Sequence, residues 1–357
     1  MNLYDTTRTG EGAFEREVPA ALAAARPLVR AHDSSIVRVA ADLRQWLTGA
    51  SADPSIRWRY WTEVEGLPES DPKVRRSLAA IRRDGWAARL LAQQHRTGHW
   101  VTEGSSAPEL YRPKYIATNW VAIVLADLGM TRNHPGVRRA AELILRRWAS
   151  GKGDLSGREG EICVTGNAVR TLVRFGYLDH PAVRRSIDWI VRTQKKDGGW
   201  HCFPSRHGTL DGWEGLAALA EIPHAARTEE IRRAVARGAE FYLERHLMDE
   251  GEERYAPWFR IHYPNHYYYD VLVGLRLLTR LGFGADPRLR PALDWLVGKR
   301  AADGTWALDA DHPDIDPELA GYRIAGPIFP FRLEPPGVPS RWATVSALAV
   351  LTRTGGL

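Results

Sequence analysis

Cysteine is scarce in this chain, with only Cys163 and Cys202 among 357 residues. Two thiols cannot build the disulfide framework of a small secreted scaffold. In a reducing compartment they stand as free thiols or as metal ligands. Lysine is scarce too, confined to Lys73, Lys114, Lys152, Lys195, Lys196 and Lys299. The positive side of the +6 formal charge is therefore almost all arginine. The arginines are scattered through helical stretches, often as Arg-Arg pairs, with no dense basic block, so no nucleic-acid partner is expected. They read as solvated helix faces, with recognition of an anionic substrate as the alternative. Long apolar runs are also missing. The most apolar stretch, Trp120–Leu128, contains Asp127 and is far short of the ~20 residues that a membrane-spanning helix needs. The first residues carry Asp5, Arg8, Glu11, Glu15 and Arg16 and no apolar signal core. A cytoplasmic protein without a transmembrane segment is expected.

What the chain does have is a repeat. Proline, one residue, an aliphatic residue and basic residues recur as Pro72-Lys73-Val74-Arg75-Arg76, Pro135-Gly136-Val137-Arg138-Arg139 and Pro181-Ala182-Val183-Arg184-Arg185. Weaker copies are Glu230-Ile231-Arg232-Arg233 and Pro287-Arg288-Leu289-Arg290. A period of roughly fifty residues signals a repeat architecture. Each copy reads as a helix start, because proline in the first turn loses no hydrogen bond. Asp71, Asp179 and Asp286 nearby suit the positive end of a helix dipole. The helices that follow have one wet face, as in Val137, Ala141, Ile144, Leu145 and Trp148. Between them run stretches that are apolar on most sides, at roughly 114–128, 163–176, 211–221, 266–281 and 340–352. A helix apolar all round must be buried all round. Alternating half-wet and dry helices is the pattern of two concentric rings. Helical patterns near 14–30 and 35–47 would supply a further hairpin. The expectation is one all-α domain over 1–357, a single α/α toroid of about six helical hairpins. Residues 1–70 hold its N-terminal helices, and 301–340 form a long loop or lid.

The half-wet helices end in a recurrent turn: Gln94…Gly98-His99-Trp100, Gln194…Asp197-Gly198-Gly199-Trp200 and Lys299…Asp303-Gly304-Thr305-Trp306. Glycine supplies the left-handed helix stop, and the tryptophans are expected to be structural wedges between hairpins. These turns resemble the Gln-Trp repeats of squalene cyclases and the related repeats of protein prenyltransferase β subunits, over about residues 70–353. The chain also resembles small bacterial prenyltransferase and squalene-oxidase repeat proteins. The resemblance implies an α/α toroid and an isoprenoid-handling enzyme of the terpene cyclase or prenyltransferase type. Two family features are missing. The Asp-x-Asp-Asp acid of class II cyclases does not occur, and Asn265-His266-Tyr267-Tyr268-Tyr269-Asp270 lacks the Asp-x-Cys zinc pair of the prenyltransferases.

In such a ring the inner-helix starts converge on one rim, where residues far apart in sequence can meet. Tyr115, Trp120, Trp213, Tyr267, Arg341 and Trp342 are the candidate substrate-binding residues. Their aromatic faces would stabilise a cationic hydrocarbon, while ordinary core packing is the alternative for any one of them. Asp270 is the preferred acid or base, with His262 as its partner and Tyr268 beside them. Asp211 and Glu214 stand at an inner-helix start, as acids or as helix caps. Cys163, Cys202, His207 and His266 map to one rim and are the ligand types that Zn²⁺ prefers, so zinc is the cofactor they would take. The alternative is two buried thiols and two histidines in polar networks. The acidic run Asp309, Asp311, Asp314, Asp316 and Glu318 would suit Mg²⁺ and a diphosphate, and otherwise reads as a solvated loop. Three functions compete: an isoprenoid enzyme acting on a small hydrophobic substrate, with an anionic one as the alternative, a zinc enzyme activating a thiol or other nucleophile, and a non-catalytic ligand-binding scaffold. A glycoside hydrolase would need two carboxylates flanking its substrate, and the Gln-Trp turns argue against it.

Overall fold

The computed structural model describes residues 41–100, 110–111, 114–148, 161–251, 255–311 and 331–355, side chains of 147 and 148 excepted. All of them fall within one compact unit, Ser34–Leu357. The helical pattern expected at 14–30 lies outside the described residues.

Capping chemistry sets where the helices start. After α1 (Ala41–Thr48), Asp53 accepts from Ser55 N and opens α2, Pro54–Arg59, which runs on through a π-helical turn, Tyr60–Val64. Asp71 caps α3 (Pro72–Ile81) and Asp84 caps α4 (Gly85–Ala92). Then follow α5 (Thr118–Asp127), α6 (Pro135–Trp148), α7 (Ile162–Phe175) and α8 (Pro181–Thr193). The chain continues with α9 (Trp213–Ala220), α10 (Glu229–Glu244), α11 (Val271–Arg280), α12 (Arg290–Gly298) and α13 (Arg341–Arg353). The repeated prolines Pro72, Pro135 and Pro181 each occupy the first position of a helix, and Pro287 opens a 3₁₀ turn before α12. In the degenerate copy Thr228 does the capping instead.

The dry helices pack side by side as an inner ring. α5 meets α7, α7 meets α9, α9 meets α11, α11 meets α13 and α13 meets α2. Gly129, just past α5, lies against the Trp58 ring of α2 and closes the circle. Outside them, α3, α6, α8, α10 and α12 each pack on their own inner partner. The fold is a helical α/α toroid. Apart from two isolated bridges, Trp200 with Thr209 and His262 with Ala310, strand pairing among the described residues is one short antiparallel pair, β1 (Trp306–Ala307) with β2 (Pro339–Ser340). That pair holds together the two ends of the long loop, of which 312–330 lie outside the described residues. No described helix is long and apolar enough to cross a membrane.

The recurrent turn explains itself atom by atom. Trp100, Trp200 and Trp306 donate their Nε1 to the carbonyls of Leu90, Ile190 and Leu296, at 2.7, 2.8 and 2.7 Å. Each indole is at most 3% exposed. Gln194 Nε2 donates both to the Gly198 carbonyl of its own turn and to Ala234 of the next outer helix, each at 2.8 Å. Gln94 does the same with Gly98 and Gly136. One amide group thus closes a turn and joins two hairpins. Gly198 sits at φ 92°, which a side chain would disfavour. In the third copy Lys299 replaces glutamine and pairs with Asp309 at 2.8 Å, so one member of the acidic run serves as a structural counter-ion. Asp311 is likewise paired, with Arg332; Asp314, Asp316 and Glu318 lie outside the described residues.

Candidate functional site

The inner-helix starts do bring most of the expected aromatic residues together. Tyr115 stacks on His266 with centroids 5.1 Å apart, and Trp120 meets His266 edge-on at 5.4 Å. The Tyr115 hydroxyl donates to the Tyr267 hydroxyl at 2.6 Å, and Lys114 Nζ donates to the same oxygen at 2.9 Å. Tyr268 stacks on Tyr267 at 4.8 Å, and Trp213 Nε1 donates to the Tyr267 carbonyl at 3.2 Å. Trp342 stacks on Tyr263 instead, at 3.6 Å. Tyr115, Trp120, His266 and Trp342 are all buried, so the rings fill the rim by packing on one another. Arg341 does not join them. Its guanidinium donates to the Trp46 carbonyl and to Ser51 Oγ, and it borders a separate cleft of about 450 Å³ with Asp53, Asp84 and Glu334.

The run Tyr267-Tyr268-Tyr269 lies before α11, not on it. The helix starts five residues later than the apolar pattern places it, because Asp270 is its cap and accepts from Val273 N at 2.7 Å. Asp270 is therefore explained by helix capping. It also receives His262 Nδ1 at 3.1 Å and Asn265 Nδ2 at 3.2 Å, all three residues being buried. Tyr269 donates to the Leu247 carbonyl at 2.9 Å, so its hydroxyl has a structural partner.

The four expected zinc ligands do not converge. Cys163 and Cys202 are neighbours, Cys163 N donating to Cys202 Sγ at 3.3 Å. His207 turns outward, its side chain 81% exposed and 3.7 Å from Asp197. His266 is committed to the aromatic stack, where burial pushes its pKa well down. Among the described residues no group of three or more His, Cys, Asp and Glu side chains is placed to hold a metal ion. The physical reason is direction. The repeat sets which loops are adjacent but not which way a loop side chain points. Contact with Cys163, followed by burial, pushes the Cys202 thiol well above its ordinary range, the opposite of a reactive thiolate.

Beside the cysteines lies Glu214, in the first turn of α9 and fully buried. Neither of its carboxyl oxygens has a hydrogen-bond partner in another residue. Burial, then the nearby Cys163, push its pKa well up. Asp211 just before it accepts from Trp258 Nε1 at 3.2 Å, and burial raises it to about 6.

The sequence reading missed the lower half of the ring interior. There the inner helices carry a belt of ion pairs. Arg59 donates to Glu63 at 2.7 Å and to Ser346 Oγ at 3.1 Å. Arg353 meets the other oxygen of Glu63 at 3.2 Å. Arg174 bridges Asp127 of α5 to Glu221 at the end of α9, and Arg280 takes Glu221 through both oxygens at 3.0 and 3.1 Å. Burial alone would raise Glu63 and Glu221, but their arginines overrule it and hold both well below the ordinary carboxylate range. Arg170 lies over the Trp213 ring at 4.8 Å and Arg59 over Trp342 at 4.2 Å. Two of the expected cation-binding faces are thus already occupied by guanidinium. The belt was legible in principle: Cys163, Asn167, Arg170 and Arg174 fall at i, i+4, i+7 and i+11, a polar stripe on an otherwise dry helix.

Asp211 and Glu214 keep their protons in the fold at pH values where the unfolded chain has lost them. Their contribution to stability therefore falls as pH rises from about 4. At ~1.4 kcal/mol per pKa unit, Asp211 accounts for at most about 3 kcal/mol of the loss by pH 6, and Glu214 extends it upward. Glu63 and Glu221 act oppositely, adding stability above their ordinary value of 4.5 that is lost as pH drops below it. His266, whose pKa burial pushes well down, also adds stability as pH rises toward its ordinary 6.5. The Asp211 contribution is therefore read as a difference: the urea midpoint of the wild type relative to Asp211→Asn should fall between pH 4 and 6. A difference that stays level or grows over that range would contradict this.

No family model matches the chain. A probable squalene-hopene cyclase of Sinorhizobium fredii is 29% identical over 162 residues, which is 40% of this chain and 24% of that protein. The squalene-hopene cyclase of Bradyrhizobium diazoefficiens is 30% identical over 113 residues, 29% of this chain and 17% of that protein. The matches thus span no more than a quarter of the length of these curated relatives. Among solved structures, a polysaccharide lyase overlaps at TM-score 0.46 and 11% identity, covering 85% of this chain and 89% of its own. A type II terpene cyclase from Scytonema overlaps at 0.30 and 14%, covering 79% and 96%. Overlap this partial says nothing of chemistry. Over these stretches the chain is similar to squalene-hopene cyclases, and its two-ring helical architecture with repeated tryptophan turns is an α/α toroid.

Proposed function

We propose that the protein is an isoprenoid-handling enzyme that starts its reaction by protonating an alkene, with Glu214 as the acid. The observation that carries this is the setting of Glu214: buried, with no partner in another residue for either oxygen, and with its pKa pushed well up by burial and by the nearby Cys163. A neutral carboxylic acid in an apolar wall is what proton donation at neutral pH requires. It would take over the task that Asp-x-Asp-Asp performs in class II cyclases. The hydrocarbon would lie against Tyr115, Trp120, Tyr267 and Tyr268. Because these rings now pack on one another, the Arg260–Asp270 segment must give way as substrate enters. The proton passes from Glu214 to the terminal alkene carbon. The resulting cation closes a ring and then loses a proton, giving an isomer of the substrate. Zinc chemistry is not part of this reading, because the Cys and His side chains do not converge.

The test is to incubate the purified chain with squalene and with linear C15 and C20 prenyl compounds, and to look for cyclic isomers of unchanged mass by gas chromatography and mass spectrometry. Glu214→Gln keeps the shape and removes the acid. It should lower turnover about 100-fold while the melting temperature stays within a few degrees. Full turnover in Glu214→Gln, or no isomer from any of these substrates, would sink the proposal.

A further inference from the structure

The belt of ion pairs is unbalanced. The arginines already described, together with Arg170 and Arg276, number six, against the three carboxylates Glu63, Asp127 and Glu221. Helix C-termini contribute some negative charge, but that effect fades within the last turn. Arg59, Arg170 and Arg276 lie deeper. In and beside the belt, four buried donors have no hydrogen-bond partner among the described residues: Arg170 Nη2, Arg276 Nε, Arg353 Nη1 and the Tyr263 hydroxyl. Arg170 is 5% exposed and Tyr263 4%. Burial, then the neighbouring Arg59, pull Arg276 down to about 9. Buried donors left unmade cost stability, and an unpaired buried charge costs more. Accessibility rises along the belt, from 1% at the Arg59 side chain through 20% at Arg174 to 34% at Arg280. Exposure within the belt thus increases toward Arg280 at the C-terminal end of α11.

We propose that this lower interior is a binding site for an oxyanion, a carboxylate or phosphate group, received by Arg170, Arg276, Arg353 and Tyr263. Planar guanidinium groups match both anions through paired N–H bonds. Trp213 and Trp342, over which Arg170 and Arg276 lie, form the border with the aromatic rim. An amphipathic molecule could then place its anionic head in the belt and its chain among the rings. The site does not depend on Glu214 acting as an acid.

Binding is to be measured by calorimetry at low salt with four probes: inorganic diphosphate, farnesyl diphosphate, farnesoate and uncharged farnesol. Saturable binding of farnesyl diphosphate or farnesoate, at least tenfold tighter than farnesol, is expected. Inorganic diphosphate binding as tightly as the farnesyl probes would assign a free anion; weaker binding would assign an amphiphile's head group. Either result supports the oxyanion site. Arg276→Met should weaken the anionic probes at least tenfold and leave farnesol unchanged. In the absence of ligand the same variant should melt about 2–4 °C higher, because it removes an uncompensated cation; a merely structural arginine would do the opposite. Tyr263→Phe provides a second variant with little effect on packing and should weaken the same probes. Absence of saturable binding by all three anions, or anion affinities unmoved by both substitutions, would overturn the site. These binding measurements need no turnover, so they stand or fall apart from the cyclisation assay.

Discussion

Replacing Arg174 with Met should cost about 3–5 kcal/mol of folding stability, a larger effect than any single carboxylate in the belt would have. Arg174 ties α7 to both of its inner-ring neighbours by ion pairs, through Asp127 on one side and Glu221 on the other. Both carboxylates have side chains only 9% exposed. Without Arg174, Glu221 keeps Arg280, but Asp127 keeps no ion-pair partner among the described residues. Leaving a buried carboxylate uncompensated is costly, whereas removing both members of the pair restores balance. Arg174→Met/Asp127→Leu should therefore recover about half of the loss or more. Urea unfolding at pH 7 on the three proteins decides the matter. A loss below about 1 kcal/mol, the usual worth of an exposed pair, would mean that the belt is solvated and that its arginines compensate nothing.

Such a belt is hard to read from sequence because arginine on a helix is ordinarily solvated. Arg75 and Arg76 on outer α3 are exposed, as expected, while Arg170 and Arg174 on inner α7 are drawn inward. Only the helix they sit on separates the cases, and the apolar pattern marks inner helices only roughly. What was legible is local. The helix starts at Pro72, Pro135 and Pro181 and the turn glycines need only near neighbours to explain them. Adjacency of hairpins was legible as well, and it brought Cys163 beside Cys202. The directions of side chains in irregular loops were not. His207 and Asp270 show why: one turns toward Asp197 at the surface, and the other is taken by the backbone N–H of Val273. Glu214 stood among the rim carboxylates, but its lack of partners is a property of the packed ring and has no trace in local sequence.

Replacing Trp200 with Ala should cost about 3–5 kcal/mol through the void it leaves. The indole is 1% exposed and wedged where α8, α9 and α10 meet. Its Nε1 satisfies the Ile190 carbonyl at the end of α8. Two glycines make room for the ring: a Cβ at Gly215 would stand 2.5 Å from it and one at Gly238 would stand 3.0 Å away. The glycines and the tryptophan therefore form one packing unit, and their substitutions should not add. Gly215→Ala alone should destabilise by about 1–3 kcal/mol through overpacking against a rigid indole. In the Trp200→Ala background the added methyl group enters the void, so the same change should be neutral or slightly stabilising. The coupling between the two sites should reach about 1–3 kcal/mol. Trp200→Phe fills most of the space and loses the hydrogen bond, so it should fall between wild type and Ala. If Gly215→Ala costs the same with and without the indole, the ring does not press on α9, and the turn tryptophans are not what separates the hairpins.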